Sequence, residues 1–278
     1  LPMGAELMLG LPGSTPEAFR NDLQDCTNRD VRVQAHLTVL LPNSPMNEPG
    51  YRKKHGIIAK AGGVVRECAT YSRDEWDEMM QLRNAYYLLD TYGIVRYLAR
   101  FVRQETGVRE IEFYDRLQLE ALRHPREWPV IADVLRTLEG FMAPPGSWSF
   151  LIAEAKRFLV DCMGLPESSG LRTVLAVQQA HLPAADRRFP YTLELEHDFT
   201  AWWNAMLISR EEGHLNDWEK HVPHLSEFGP ASITIFDPHK ICRLEVGKTL
   251  TQLGYTMRTW ELDSPVSRAR SAIGARAV

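Results

Sequence analysis

The fold of this 278-residue chain is decided by the stretch Glu6-Leu7-Met8-Leu9-Gly10-Leu11-Pro12-Gly13-Ser14-Thr15-Pro16-Glu17. Its short apolar run is typical of a strand in a parallel sheet, and the two glycines favour a tight turn with positive φ angles. Thr15 is a good N-cap and Pro16 suits the first position of a helix. The stretch therefore predicts a strand that leads into a helix, with free backbone N–H groups at the carboxyl end of the strand, where α/β folds bind ligands.

A second strand is predicted over residues 31–41, in which the odd positions are apolar throughout. If the even positions face inward, Gln34 and His36 line a reaction cavity; alternatively, His36 lies in a polar layer with its ring satisfied by hydrogen bonds. Pro42 and Pro45 should end the strand, and residues 42–70 are predicted to be a long loop. The small basic cluster at residues 52–55 is interpreted as a solvated rim, with binding of an acidic substrate or of a cofactor tail as the alternative.

Most of the remaining chain has a helical pattern. A capping box at residues 72–75 opens a predicted helix, and residues 94–104 form an amphipathic helix that ends at Gly107. Further helices are expected over residues 149–163, 171–181, 194–210 and 240–253, and short strands over 232–236 and 255–262. The best linker candidate is the proline-rich segment 143–147.

Three motifs carry a resemblance to a known family. They are the turn at residues 6–15, the segment Leu40-Leu41-Pro42-Asn43-Ser44-Pro45-Met46 followed by Tyr51 and Lys53-Lys54-His55-Gly56, and the segment Tyr71-Ser72-Arg73-Asp74-Glu75-Trp76. Together they resemble the cobalamin-binding subgroup of the radical S-adenosylmethionine (SAM) enzymes, over about residues 4–116. The chain departs from that pattern at Ser14, where the family usually has an acid, and it lacks the CxxxCxxC motif that binds the iron–sulfur cluster. We therefore expect the C-terminal part of a longer enzyme whose cobalamin-binding and cluster-binding regions precede Leu1.

The resemblance implies an α/β fold, namely the distal part of a partial (β/α) radical SAM (TIM-type) barrel followed by a mainly helical C-terminal region with a minor β element. Residues 1–62 would hold the last strands and helices of the barrel with a substrate-side loop. Residues 63–145 would form a helical C-terminal extension, and residues 146–278 a mostly helical accessory domain with a small β element.

The resemblance also implies a reaction and its cofactors. The parent enzyme would use a [4Fe-4S] cluster to cleave SAM to a 5′-deoxyadenosyl radical, and methylcobalamin would supply a methyl group to an unactivated carbon of a small molecule or natural-product intermediate. Methylation is the favoured outcome, and cyclisation or rearrangement stays open. On its own the chain should bind no cluster and show no activity.

Site residues follow from the same resemblance. The adenosyl group would lie against the turn residues Gly10, Leu11, Pro12 and Gly13, and its adenine or ribose against Leu41, Pro42 and Asn43. The substrate side is assigned to His36, Tyr51 and Tyr71, and no catalytic residue is assigned. Two alternatives remain: a non-catalytic helical binding or assembly module, and an α/β enzyme that uses the Gly-Leu-Pro-Gly turn for another nucleotide.

Composition and charge argue against several other classes of function. The net charge of -4, without a concentrated basic face, gives no case for nucleic-acid binding. No apolar run approaches the roughly 20 residues that span a bilayer, so no membrane partner is expected. The spacing of Cys26, Cys68, Cys162 and Cys242 matches no metal or cluster motif and favours free thiols in the cytoplasm. The cluster of His214, His221 and His224 with Glu219 is interpreted as a polar surface loop, and no metal site is predicted.

Overall fold

The computed structural model describes residues 4–137, 146–182, 184 and 187–236. The described residues divide into two compact units, one that ends at Tyr87 and one that begins at Leu88. Within the described ranges, no helix combines the length and the apolar character needed to cross a lipid bilayer.

The first unit contains two small sheets and three helices. In chain order its elements are β1 (Gly4–Leu9), α1 (Pro16–Asn28), β2 (Arg32–Leu37), a 3-10 turn (Pro45–Asn47), α2 (Pro49–His55), β3 (Ile58–Ala59), β4 (Val65–Glu67) and α3 (Arg73–Tyr86). Strands β1 and β2 are parallel and in register from Gly4↔Arg32 to Leu9↔Leu37. The predicted strand–turn–helix is therefore confirmed. Among the described residues, however, only these two strands are parallel, so the structure is mixed α/β and mostly helical and shows no barrel.

One face of the parallel sheet carries the core of this unit. Leu9, Val33 and Ala35 are buried together with Phe19 and Leu23 of α1. Helix α3 is tied to β2 because the Arg83 Nε–H donates a hydrogen bond to the Ala35 carbonyl at 2.6 Å. The odd positions of β2 therefore face the helices, as the alternating pattern predicts.

The alternation predicted over residues 31–41 is wrong in its second half. Strand β2 ends at Leu37, Thr38 is then buried, and Val39 and Leu41 are 40% and 62% exposed. The phase changes because residues 38–40 turn to a different partner: the Val65 N–H donates to the Thr38 carbonyl, and the Leu40 N–H donates to the Gly63 carbonyl. Because these partners lie far along the chain, the local pattern of apolar and polar residues does not reveal the pairing.

The prediction of a long loop over residues 42–70 is also wrong. This segment folds into the 3-10 turn, α2 and the antiparallel pair β3–β4. These elements are very short, so they offer too few residues for a helical or strand period to be recognised in the sequence.

The described residues of the second unit are helical apart from one antiparallel strand pair. It contains a π-helical turn shared with the first unit (Tyr87–Thr91), α4 (Arg96–Thr106), α5 (Glu110–Arg123), α6 (Pro129–Thr137), α7 (Ser147–Asp161), α8 (Ser169–Ala180), β5 (Tyr191–Leu195), α9 (Phe199–Glu211), two 3-10 turns (Trp218–Lys220 and Leu225–Glu227) and β6 (Ala231–Ile235). The predicted helices 149–163 and 171–181 and the strand 232–236 are confirmed. Residues 194 and 195 belong to β5 instead of the predicted helix, and the expected elements over 240–262 lie outside the described residues, as do Cys242 and most of the expected linker 143–147.

Helix α4 lies at the centre of this unit. The sequence predicts an amphipathic helix, but all residues from Arg96 to Gln104 are buried. Gln104 accepts a hydrogen bond from the Trp202 indole N–H at 2.8 Å, and the Tyr97 ring meets the rings of Phe199 and Trp203 edge to face. The helix is thus covered on all sides, and the polar face that the pattern indicated must find its partners inside the protein.

Candidate functional site at the edge of the parallel sheet

The turn after β1 has the backbone geometry that its sequence predicts. Gly10 and Gly13 both have φ angles of +95°, a region that L-residues with a side chain rarely adopt. The Ser14 N–H closes the turn on the Leu11 carbonyl at 3.0 Å. Thr15 then caps α1 by accepting a hydrogen bond from the Ala18 N–H. Two parallel strands and a capped helix therefore fix the position of this turn.

Two neighbouring side chains hold the turn from the protein side. The Tyr71 hydroxyl donates to the Gly10 carbonyl at 2.7 Å, and the Thr70 hydroxyl donates to the Ser14 carbonyl at 2.6 Å. The Thr70 oxygen also accepts from the Gly13 N–H at 3.2 Å. Only some of the backbone N–H groups that were expected to be free are free. The N–H groups of Gly13 and Ser14 form hydrogen bonds within and around the turn, whereas the Leu11 N–H has no hydrogen-bond acceptor among the described residues.

Apolar side chains are exposed at this edge of the sheet. Leu11 follows β1 and is 39% exposed, and Leu41 follows β2 and is 62% exposed. Both residues follow the carboxyl ends of the two parallel strands, and the segments that leave these ends are called the rim of the sheet below. Pro42 and Asn43 continue this exposed rim, and the Leu41 carbonyl is fixed by hydrogen bonds from the Ser44 N–H and hydroxyl. The rim has the apolar and backbone groups that a nucleoside base requires.

The second face of the parallel sheet is open. Glu6 pairs with Gln34 and Met8 pairs with His36, so these four side chains share the face opposite the helices. Glu6, Met8 and Gln34 are exposed and His36 is half-buried. Glu6 was not among the predicted site residues, although the alternation of β1 already places it on the same face as Met8.

The three residues predicted for the substrate side occupy different environments. His36 lies on the open face. Tyr51 is exposed on α2 and its ring packs against that of His55 at a tilt of 33°, with the ring centroids 4.3 Å apart. Tyr71 is buried, and burial, followed by the neighbouring Cys68 thiol, raises its pKa well above the ordinary value, so its hydroxyl stays a hydrogen-bond donor. The geometry gives Tyr71 a positioning role behind the turn; contact of any of the three with substrate stays a prediction.

The basic cluster at residues 52–55 has a structural explanation. It forms the last turn of α2, where positive charge is favourable beside the free carbonyl groups of a helix end. The Gly56 residue that follows is left-handed and ends the helix.

The described residues do not fit an iron–sulfur cluster. Cys26, Cys68 and Cys162 form no disulfide bond, and no group of three cysteines lies close enough to bind a metal in the described part of the chain. A cluster would therefore need thiolates from outside these residues.

The predicted histidine cluster is rearranged. His224 hydrogen-bonds to Glu105 and Glu219 pairs with Arg103, so both point away from the other two histidines. His214 and His221 lie together, and Asp217 joins them instead. Asp217 was not among the residues predicted for this cluster, although it lies between the two histidines in the sequence.

Comparison with known proteins gives two related matches. The chain is 31% identical over 134 residues to the cobalamin-dependent radical SAM methyltransferase TokK of Streptomyces tokunonensis. It is 30% identical over 134 residues to the 2-(S-pantetheinyl)-carbapenam-3-carboxylate methyltransferase of Streptantibioticus cattleyicolor. Each match covers 41% of this chain and 19% of the relative, so the chain spans only about a fifth of the length of these proteins. No protein-family model matches the chain. These matches establish homology of part of the chain to cobalamin-dependent radical SAM methyltransferases.

Proposed function

We propose that this chain acts as the C-terminal part of a cobalamin-dependent radical SAM methyltransferase that methylates an unactivated carbon of a small molecule. The observation that carries the proposal is the similarity to two methyltransferases, one of them named for cobalamin and radical SAM chemistry. Such enzymes use SAM, cobalamin and a [4Fe-4S] cluster, which supply the radical and methyl-transfer chemistry when bound. The cytoplasmic location stays part of the same proposal.

The open side of the parallel sheet supports a larger catalytic domain. Parallel sheets are normally covered on both faces, yet among the residues that the structure describes, helices pack on only one face of β1 and β2. Among the described residues, β1 also pairs on only one edge, with β2. We therefore propose that further strands of a partial barrel pair with β1 in the longer protein, and that the open face then lines its cavity.

This placement gives the residues of the chain distinct roles. Leu11 and Leu41 would pack against the adenosyl group of SAM, and the Leu11 N–H would donate a hydrogen bond to it. His36 and Gln34, together with Glu6, would face the substrate from the sheet. Tyr71 and Thr70 would hold the turn in shape without contacting either molecule.

Leu41→Ala is the sharpest test of the SAM-binding edge. Leu41 is mostly exposed in this structure, so its truncation should leave stability nearly unchanged. Removing about two buried methylene equivalents from the adenosyl contact should weaken SAM binding about tenfold. Equilibrium dialysis with radiolabelled SAM on the full-length protein, loaded with cluster and cobalamin, measures this. Methyl transfer to a pantetheinyl carbapenam would be assayed in the same preparation.

Ile58→Ala provides the matched control. Ile58 is 55% exposed and lies in the same unit, on β3 instead of the proposed site, so SAM affinity should not change. Equal affinities for wild type and Leu41→Ala would contradict the placement of the site. Full-length protein without iron, sulfide or SAM cleavage would instead favour the alternative of a binding or assembly module, and binding of a different nucleotide at an intact turn would favour the third interpretation.

A further inference from the structure

Three side chains able to bind a metal converge after α9, on either side of the 3-10 turn Trp218–Lys220. They are His214, Asp217 and His221, and one ligand atom from each lies within 4.8 Å of the others. The His221 Nε2 and Asp217 Oδ2 atoms are 3.4 Å apart. The rings of His214 and His221 are stacked, with centroids 3.6 Å apart and planes inclined by 17°.

The backbone of this segment is fixed independently of these side chains. Trp218 is completely buried and its ring packs against Trp202. The Arg103 guanidinium donates to the Asn216 carbonyl at 2.6 Å and to the Glu219 carboxylate at 2.9 Å. The two histidines and Asp217 are therefore carried by a segment that is anchored to α4 and α9, while their own side chains face outward and are half-buried or exposed.

We propose that His214, Asp217 and His221 bind a divalent transition-metal ion, with zinc as the favoured metal. Imidazole nitrogen and carboxylate oxygen are common zinc ligands, and two ligands of a tetrahedral site with bonds of about 2.0–2.1 Å lie about 3.3 Å apart. The distance of 3.4 Å between the His221 Nε2 and Asp217 Oδ2 atoms is close to that value, and it is longer than an ordinary hydrogen bond. Three protein ligands leave the fourth position to water, as in an open zinc site.

Metal binding requires one rearrangement. The ring-nitrogen lone pairs lie in the planes of the rings, and in stacked rings these planes are nearly parallel, so the two rings must rotate before both can point at one ion. The ligand atom of His214 also has to move closer to those of Asp217 and His221, because the three atoms are now up to 4.8 Å apart. Both movements are side-chain rotations at a partly exposed site, and the anchored backbone does not have to change.

Zinc content of the full-length protein tests the proposal. The protein is expressed without a histidine tag, equilibrated with Zn²⁺ and analysed for metal by mass spectrometry. Wild type should hold about one zinc ion per chain more than His221→Ala, and His221→Ala and Asp217→Asn should each lower zinc affinity at least tenfold. X-ray absorption at the zinc edge should show two imidazoles at about 2.0–2.1 Å.

His224→Ala is the matched control, because His224 is three residues away, is exposed and pairs with Glu105. It should retain the zinc of the wild type. His221 is also exposed, so its replacement should leave the circular dichroism spectrum unchanged, and the result does not depend on His214→Ala folding. Equal zinc content in wild type and His221→Ala, or equal losses in His221→Ala and His224→Ala, would overturn the proposal.

Discussion

At the scale of single residues, the two glycines of the first turn have the same φ angle but different surroundings. A Cβ atom on Gly10 would lie 3.2 Å from the Tyr71 hydroxyl and 3.4 Å from the Trp76 indole nitrogen, whereas one on Gly13 would meet nothing within 4 Å. Gly13→Ala should therefore cost only the backbone strain of a left-handed residue, about 1–2 kcal/mol. Gly10→Ala should cost more, because Tyr71 must also move and its hydrogen bond to the turn is at risk.

Urea unfolding of the two variants measures the difference. Tyr71→Phe serves as a further comparison, since it removes the hydrogen bond to Gly10 and leaves the ring in place; its loss should be about 1–2 kcal/mol. If Gly10→Ala and Gly13→Ala were equally stable, Tyr71 would not be packed against the turn as described. Gly10 is thus a poor probe of ligand binding alone, and the exposed Leu41 is a better one.

At the scale of elements, what the sequence predicts depends on how far away the partners lie. The caps at Thr15 and Ser72 and the helix end at Gly107 were predicted because each uses groups within a few residues. The parallel pairing of β1 with β2 was predictable because each strand has an apolar face and because a turn followed by a helix connects the two strands. The phase change after Leu37 was not, because its cause is pairing with residues 63–65.

The candidate sites follow the same rule. The turn after β1 was predicted from local signals, and the assignment of the rim as a binding site stays a prediction. Asp217 lies between His214 and His221 in the sequence, so its spacing was available, but its place beside their side chains also depends on the burial of Trp218 and on Arg103, which lies more than a hundred residues away.

Helix α4 shows this limit most clearly, since its polar face is buried among ionic partners. Arg100 is fully buried and contacts Asp90 at 2.8 Å and Glu110 at 3.5 Å, and Arg103 contacts the second Glu110 oxygen at 3.1 Å. Arg100→Met would keep the volume but leave Asp90 and Glu110 without their shared cation. The expected loss is about 3–5 kcal/mol in the free energy of unfolding.

Denaturant unfolding of Arg100→Met checks this, with Arg116→Met as the matched control. Arg116 pairs with Glu112 on the exposed side of α5, where an ion pair contributes well under about 1 kcal/mol. A similar small loss in both variants would mean that the carboxylates of Asp90 and Glu110 find other partners or water.

At the scale of the whole molecule, the same network predicts how stability depends on pH. Burial alone would raise the pKa of Asp90, but the charges of Arg100 and Arg96 and hydrogen bonds from Tyr114 and Arg100 outweigh it and lower the pKa to about 2, from 3.8 in an open chain. Burial, and then the charge of Asp90, raise the pKa of Tyr114 well above its ordinary 10.0. The folded state therefore keeps Asp90 ionised and Tyr114 neutral over a wider pH range than the unfolded chain does.

The signs of these two shifts define a plateau of stability with a loss on each side. Because the folded pKa of Asp90 is lowered, its contribution is complete above pH 3.8 and is lost as the pH falls toward 2, by on the order of 2 kcal/mol. Because the folded pKa of Tyr114 is raised, its contribution is complete below pH 10 and is lost at higher pH. Urea unfolding across this range is repeated with Asp90→Asn and Tyr114→Phe. Each variant should flatten its own side of the profile most, and the other side partly, because each group helps to shift the pKa of the other. A wild-type acid profile that Asp90→Asn does not alter would mean that other carboxyl groups control unfolding in acid.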